Sequence, residues 1–301
     1  SGDPGTLDEE PAQQTTGKVA NQKTTKNEHK SLAQSKTNQN ELQARPIEMN
    51  NGVPELSSFS PKIQMYLRPA VIDDSEQIAQ IYNKHIAGGN ITEDQEPILT
   101  DDAMHLIKNN KREKLPFIVA VAGRCPIRFD EQNSRKKKKK ISLPKNEKII
   151  GFAFNERFNY GFSGSVNGRS RFTTTLQLFV AHDYQCKGVG RNLLDRLIHM
   201  LSTAYGYHKA CDFINPEGDE VHECEGSGMW HQIQFHVPVL KQDDPVYPRI
   251  KDFLFSNFLI REVCRMKSTG RTNVNRGPAK WLDTVIFQFE ISQEGNFGPY
   301  S

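Results

Sequence analysis

The sequence predicts a mixed α/β domain preceded by a disordered arm, and three observations carry that prediction. Between about residues 63 and 291, apolar runs of strand length alternate with stretches whose apolar residues recur at helical spacing. Two helical stretches follow the first strand, and a pair of strands closes the chain. Residues 1–60 show neither period: they are rich in Gln, Asn, Thr, Ser, Lys and Glu, with Phe59 as their single aromatic. Such a stretch buries too little apolar surface to offset the entropy of ordering it. It also accounts for much of the low apolar share, 36% of 301 residues. The expected organisation is an arm over 1–60, one domain over 61–292 and a tail over 293–301.

Element by element, Ile63, Met65 and Leu67 alternate with Gln64, Tyr66 and Arg68, the pattern of a half-buried strand stopped by Pro69. Asp73 or Asp74 caps a helix over 75–87, which carries Ile78, Ile81, Tyr82 and Ile86 on one side and ends at Gly88-Gly89. Thr100 starts a second helix over 101–112. The apolar run 116–122 is a strand, and 149–154 is the next. Between them, 124–147 turns basic and polar, with Lys136–Lys140 in sequence, and reads as an inserted loop. Residues 160–171 are a Gly- and Ser-rich turn region. A strand over 174–181 leads through Gly188 and Gly190 into an amphipathic helix over 191–202, striped by Leu193, Leu194, Leu197, Ile198 and Leu201. An acidic loop over 215–230 follows, then a strand over 232–239, a helix over 247–258, a strand over 260–266, a polar loop over 269–278 and a last strand over 281–291.

Several function classes recede at this stage. No apolar run reaches 18 residues, so a membrane span is not expected. The start, Ser1-Gly2-Asp3, lacks the apolar core of a secretory signal. Five cysteines without CxxC spacing fit reduced thiols better than a disulfide framework or a zinc site. The expected compartment is therefore intracellular, cytoplasmic or nuclear. A formal charge of +3 argues against binding nucleic acid with the whole surface. Lys136–Lys140 remains open as a solvated loop, a nuclear-import signal or an anchor for phosphate-rich partners; nucleic acid is possible there but not favoured, for want of interleaved aromatics.

The strand–turn–helix around Gly188 and Gly190 has a physical use. Glycine lets backbone amides approach a phosphate and accepts positive φ, while a helix start offers unpaired N–H groups and a positive dipole end. Lys187 and Arg191 add charge beside it. It is neither a Walker loop nor a dinucleotide fingerprint, since Leu193 stands at the third glycine position. As GxG alone, it is equally consistent with plain turn chemistry.

Gln185-Cys186-Lys187-Gly188-Val189-Gly190 matches the [QR]-x-x-G-x-[GA] signature of the GCN5-related N-acetyltransferases, and the segment LQLFVAHDYQCKGVGRNLLDRL resembles that family's central motif, especially in filamentous-fungal members. The order of elements fits over about 63–291. The resemblance implies a mostly antiparallel sheet flanked by helices and splayed at the motif strand. It implies acetyl-CoA as cosubstrate, no metal, and attack of an amine on the thioester with the oxyanion held by a backbone amide. By position, Phe179 and Val180 would run beside the pantetheine arm. Gln185, Cys186, Lys187, Gly188, Val189, Gly190, Arg191 and Asn192 would hold the pyrophosphate. The acceptor stays open among small polyamine-like or aminoglycoside-like amines, a protein N-terminus and a lysine side chain.

Two catalytic positions depart from the family. Where many members carry a carboxylate before the signature, this chain reads Thr173-Thr174-Thr175. Where many carry a tyrosine that protonates the leaving thiolate, Phe253 falls, with Tyr247 as a displaced substitute. Candidate bases are Glu156 at a strand end and Asp283 on the last strand; each is equally readable as a solvated charge or a cross-strand partner. His182 reads as a structural loop residue and Cys186 as an incidental signature position rather than a nucleophile. Glu217, Asp219, Glu220, Glu223 and Glu225 form an acidic loop that is either solvated or attracts a cationic substrate. A non-catalytic acyl-CoA-binding protein is the alternative to an enzyme.

Overall fold

The computed structural model describes residues 59–89, 91–126, 144, 146–161, 164, 168–202, 204–224, 226–227, 230–240, 244–272 and 278–291. The arm before Phe59, Lys136–Lys140 and the tail lie outside the described residues.

Among the described residues eight strands form one sheet: β1 (Met65–Pro69), β2 (Phe117–Ala122), β3 (Lys148–Arg157), β4 (Thr173–Val180), β5 (Asp212–Phe213), β6 (Gln232–Leu240), β7 (Arg261–Arg271) and β8 (Trp281–Glu290). Their order is β5-β1-β2-β3-β4-β6-β8-β7. The pairs β1–β5 and β4–β6 are parallel and the rest antiparallel. The helices are α1 (Ser75–Gly88), α2 (Thr100–Glu113), α3 (Val189–Leu201) and α4 (Tyr247–Phe258). This is the mixed α/β architecture expected, a central sheet flanked by helices.

Each sheet face has its own core. On one side α1 and α2 press Ile78, Ile81, Tyr82 and Ile107 onto Tyr66, Val119, Phe152, Phe154 and Phe179. On the other, α3 and α4 bring Leu193, Leu197, Leu254 and Phe258 onto Ile118, Ile150, Ile233, Val285 and Phe287. At about 1.5–3 kcal/mol for each large apolar side chain removed from water, these two layers supply the main stabilisation. Gly151 seats α3 on β3: a Cβ there would meet the Phe179 carbonyl oxygen at 3.0 Å and Leu193 Cδ1 and Val189 Cγ1 at 3.2 Å.

Several local expectations are corrected. β1 is not half-buried: Met65, Tyr66, Leu67 and Arg68 are all buried, because β5 and β2 flank the strand and helices cover it. Arg68 is accommodated by a bidentate pair with Asp74 at 2.7 Å and a contact to Glu147, which also accepts from the Tyr66 hydroxyl. Asp74 occupies the N-cap position of α1 without capping it, since its carboxylate is committed to Arg68 and the Val71 amide. β7 runs on to Arg271, so 269–271 are strand rather than loop; irregular register between Met266 and Gly270 absorbs the change. Helix α3 is amphipathic as expected, yet it is buried nearly all round, Asn192, Asp195 and Arg196 included. Its polar side is roofed by Phe59 and by the segment after the helix, where Tyr205 Oη and His208 Nδ1 reach Asp195 at 2.6 and 2.7 Å.

Phe59 and Ser60, assigned by composition to the arm, are part of the fold. The Phe59 ring is 5% exposed, stacks on His208 at 3.6 Å and meets Phe258 edge-on at 5.7 Å. No helix among the described residues is long and apolar enough to cross a membrane.

Candidate active site

The site begins where two neighbouring strands part. β4 and β6 are in register only at Thr173–Gln232, Thr174–Ile233 and Thr175–Gln234; beyond that they diverge. Ala181 N donates to Ile150 O and Phe158 N to Thr173 O, so the odd-numbered residues of β4 exchange hydrogen bonds with β3. By the alternation of an antiparallel ladder, Leu176, Leu178 and Val180 aim their peptide groups at the parted side. This corrects one expectation: Val180 and Leu178, not Phe179, offer backbone to the cleft. Phe179 instead turns its ring into the α1 layer, edge-on to Tyr82 at 4.9 Å. The Val180 carbonyl is already held, by His85 Nε2 at 2.9 Å and Gln185 Nε2 at 3.4 Å.

The open edge of β4 leads directly to the start of α3. His182–Tyr184 form a short 3-10 turn, Cys186 adopts φ 58° and Gly188 φ 89°, and the helix begins at Val189. Both left-handed residues fold the chain back so that successive amides and the helix start face one way. Gln185 and Cys186 are exposed and Lys187, Gly188, Gly190 and Arg191 half-buried, so the turn lies at the surface. A Cβ on Gly190 would stand 3.4 Å from Val180 Cγ2, 3.5 Å from Leu178 Cδ2 and 4.0 Å from Phe253 Cζ. The missing side chain therefore leaves a cradle between the β4 edge and α4. Lys187 and Lys148 both place their ammonium groups over the Tyr184 ring, at 5.2 and 5.0 Å, adding positive charge that sequence reasoning had found only in Lys187 and Arg191. A diphosphate followed by an extended amide-bearing arm fits this turn and edge.

Asn192 does not belong to that set. It is buried, its side chain donates to Phe59 O and Gly188 O at 2.8 and 2.9 Å, and its amide donates to Gly188 O. Its work is to pin the residues before β1 against the turn, helped by Lys62 N donating to Lys187 O at 3.0 Å. Arg191 lies with its guanidinium 5.5 Å from the Phe59 ring.

On the α1/α2 face, Glu156 stands on β3 opposite Thr175, the last β4 residue in register with β6. Gln177 Nε2 donates to its Oε2 at 2.9 Å. Burial pushes the Glu156 carboxyl above the usual carboxylate range; the Gln177 bond opposes this, and Glu93, Asp94 and Glu113 reinforce it. A half-desolvated carboxylate with a raised pKa is a competent general base near neutral pH. A cavity of about 270 Å³, which Glu156 does not line, lies between the α1–α2 connection (Gly89, Thr92, Glu93, Asp94, Gln95) and the faces of β6, β8 and β7. His236 lines it, with a ring that burial holds below the ordinary imidazole range against the pull of Glu93.

The other candidates fall elsewhere. Tyr247 donates its hydroxyl to Glu262 on β7, the strand furthest from β4 on that side of the sheet, so it cannot serve the cleft. Burial and that carboxylate push its phenol up, which makes it a poorer acid still. Asp283 is buried on β8 and accepts from Arg265 Nε and Ser268 N, both at 2.9 Å: a structural cross-strand partner. Phe253 does stand beside Gly190, at the place where the resemblance expects tyrosine. His182 packs its ring on His85 and against Gly88, a structural contact. The acidic loop sits at the β1–β2 end: His222 Nε2 contacts the Phe117 backbone, Lys111 pairs with Glu217 and Arg196 donates to His222 O. The described acids of the loop, Glu217, Asp219, Glu220 and Glu223, therefore lie away from the cleft, and Glu225 lies outside the described residues. Among the described residues no group of three or more His, Cys, Asp or Glu is placed to hold a metal.

Sequence reasoning missed Glu93, Asp94, Gln177, His236 and Lys148. The only local signal was the Gly88-Gly89 stop, which opens the connection carrying the two acids.

A sequence profile of the acetyltransferase (GNAT) family matches residues 110–221, from the end of α2 through the motif helix to the acidic loop. Among solved structures, phosphinothricin acetyltransferase from Sinorhizobium meliloti in complex with AcCoA is similar at TM-score 0.51 and 17% identity, over 79% of this chain and 95% of that one. The yncA protein of Salmonella typhimurium, solved with its cofactor acetyl-CoA, is similar at TM-score 0.50 and 18% identity, over 79% and 99%. At such identities the likeness speaks for the fold. No curated protein matches.

Proposed function

Since this chain belongs to the GNAT acetyltransferase superfamily, we propose that it moves the acetyl group of acetyl-CoA directly onto a primary amine, with Glu156 as the base. The observation that carries this reading is the open β4 edge running into the glycine-bearing start of α3. When bound, acetyl-CoA supplies a thioester carbonyl open to attack. The amides of the 185–190 turn, with Lys187, Lys148 and Arg191, hold its diphosphate. The Leu178 peptide and the Val180 amide align the extended arm as an added strand, and an N–H on that edge polarises the carbonyl oxygen. Glu156 takes the proton that the attacking nitrogen sheds. Phe253 has no proton to give, so the departing sulfur is protonated by solvent or by the Glu156 carboxyl itself.

The reading is tested by thiol release from acetyl-CoA over a panel of amines, with wild type and Glu156→Gln. Release that falls by about 10²–10⁴-fold in the variant, with cofactor binding retained, is the expected result. Phe253 specifically favours a second reading, a protein that binds acetyl-CoA without turning it over. Cofactor binding with no thiol release from any amine would establish that one instead.

A further inference from the structure

Glu156 is held from one side, and what holds it belongs to the strand that parts. In the β3–β4 ladder Glu156 stands opposite Thr175 and Phe154 opposite Gln177, so Gln177 is the diagonal neighbour of Glu156 on the same face. A long side chain spans that diagonal, and Gln177 Nε2 donates to Glu156 Oε2 at 2.9 Å. Thr175 is the last β4 residue in register with β6, so Gln177 already lies in the parted stretch. It stands between Leu176 and Leu178, whose peptide groups aim at the gap. Among the described residues no cation pairs with Glu156. Arg157, next in the chain, turns instead to Glu113 at 3.4 Å and to the Trp230 ring at 5.9 Å. The charged groups that act on Glu156 are Glu93 and Asp94 from the α1–α2 connection and Glu113 from the end of α2; all three are carboxylates and disfavour its charge, which the Gln177 bond favours. Among the described residues Glu156 Oε1 accepts no hydrogen bond.

We infer that Gln177 is a positioning residue for the transfer: it fixes Oε2 of Glu156 and leaves Oε1 as the oxygen that takes the proton from the acceptor nitrogen. The inference rests on the acetyl-transfer reading above and goes beyond it in saying what aims the base and which oxygen acts. One strand then serves both partners of the reaction. Its even-numbered peptide groups align the donor, and the side chain between two of them aims the base. Aim matters, because a misplacement of about 1 Å can cost about 100-fold in rate. A neutral amide also suits the task better than a cation. It orients the carboxylate without the full charge that would hold it ionised and leave it a weak base.

The test uses the full chain with acetyl-CoA and the amine of the panel that releases thiol fastest, with kcat and KM read against pH for wild type, Gln177→Met and Gln177→Lys. Methionine keeps the length and loses the donor. Its plateau kcat should fall about tenfold or more, with the KM for acetyl-CoA and the acetyl-CoA thermal shift unchanged. Its rising limb should move to higher pH, because a group that stabilised the carboxylate is gone. Lysine puts a cation in the same place, so its limb should move to lower pH than in wild type. A merely structural role would lower the apo Tm and leave the limb where it was. In the Glu156→Gln background Gln177→Met should change kcat little, since no base is left to aim. A limb that stays put in both variants, one that moves the same way in both, or a wild-type kcat in Gln177→Met overturns the inference and leaves acetyl transfer standing. Acetyl-CoA binding without thiol release from any amine in wild type overturns acetyl transfer, and the role of Gln177 with it.

Discussion

Gly188 and Gly190 are two residues apart in one turn, yet they should fail in opposite ways. Gly188 has φ 89°, and a Cβ on it would meet Pro61 Cα at 3.1 Å. Gly188→Ala therefore incurs left-handed strain of about 1–2 kcal/mol, plus displacement of a backbone atom. Gly190 has no such φ, and its Cβ would find only ordinary contacts at 3.4–4.0 Å. As a first-turn helix position it loses nothing by gaining a side chain and gains up to about 1 kcal/mol of propensity. What Gly190→Leu does is fill the cradle between Val180, Leu178 and Phe253. In wild type, acetyl-CoA at 100 times Kd should stabilise by ~2.7 kcal/mol. At about 2–4 °C per kcal/mol for a domain of this size, Tm should rise by about 5–11 °C. A hundredfold loss of affinity in Gly190→Leu leaves ~0.4 kcal/mol at the same concentration, or about 1 °C. Differential scanning of both variants, with and without acetyl-CoA, reads all four quantities. An apo Tm near wild type with no cofactor shift is expected for Gly190→Leu; a lowered apo Tm is expected for Gly188→Ala. A full cofactor shift in Gly190→Leu would show that the arm does not pass that cradle, and the assignment of the cleft would fall.

Three further outcomes follow from the same geometry. Because burial holds the Glu156 carboxyl above its ordinary value, kcat/KM for thiol release should rise with pH through a midpoint above 4.5, and Glu156→Gln should abolish that limb; a limb unchanged in the variant would assign the base elsewhere. Phe59→Ala removes a buried ring from the α3 roof and should cost about 3–5 kcal/mol, lowering Tm by about 6–20 °C; an unchanged Tm would mean that Phe59 is not packed. His85, His199, His222 and His236 are all held below 6.5, burial first among the causes. Above 6.5 both folded and unfolded chains keep them neutral, whereas below it the unfolded chain binds protons that the folded one refuses. Stability should therefore fall as pH drops below 6.5, opposed only in part by Glu156, whose raised value has the reverse sign. A Tm independent of pH between 7.5 and 5.5 would contradict this.

The parts of the fold that a one-dimensional pattern can encode were legible. Tyr247–Phe258 is helical over the predicted span because Pro248 opens it, the Asp244 carboxylate takes the Val246 and Tyr247 amides, and Leu259 closes it at φ 57°. The Gly188 turn was legible because only glycine relieves that conformation cheaply. What escaped were features made by distant segments. β5 has two residues, too few for any period, and exists because Asp212 and Phe213 find Tyr66 and Leu67. The burial of Asn192 and Asp195 depends on Phe59, 133 residues away from the first of them, and on Tyr205 and His208. Glu156 could be proposed from its strand-end position, but its burial and its company, Gln177 on β4 and Glu93 and Asp94 in the α1–α2 connection, come from two other places in the chain. Tyr247 and Asp283 misled for the complementary reason: a residue of suitable chemistry was already spent on a neighbour that spacing does not reveal.

A sheet that parts along one seam is, in effect, a sheet waiting for a chain that is not its own. Beyond Thr175 the even-numbered peptide groups of β4 face the gap, and what they recognise is repeat distance and amide polarity rather than side-chain identity. Affinity for the donor should therefore tolerate exchange of the Leu178 or Val180 side chain for another of similar bulk. It should not tolerate a proline at 180, which deletes the amide itself.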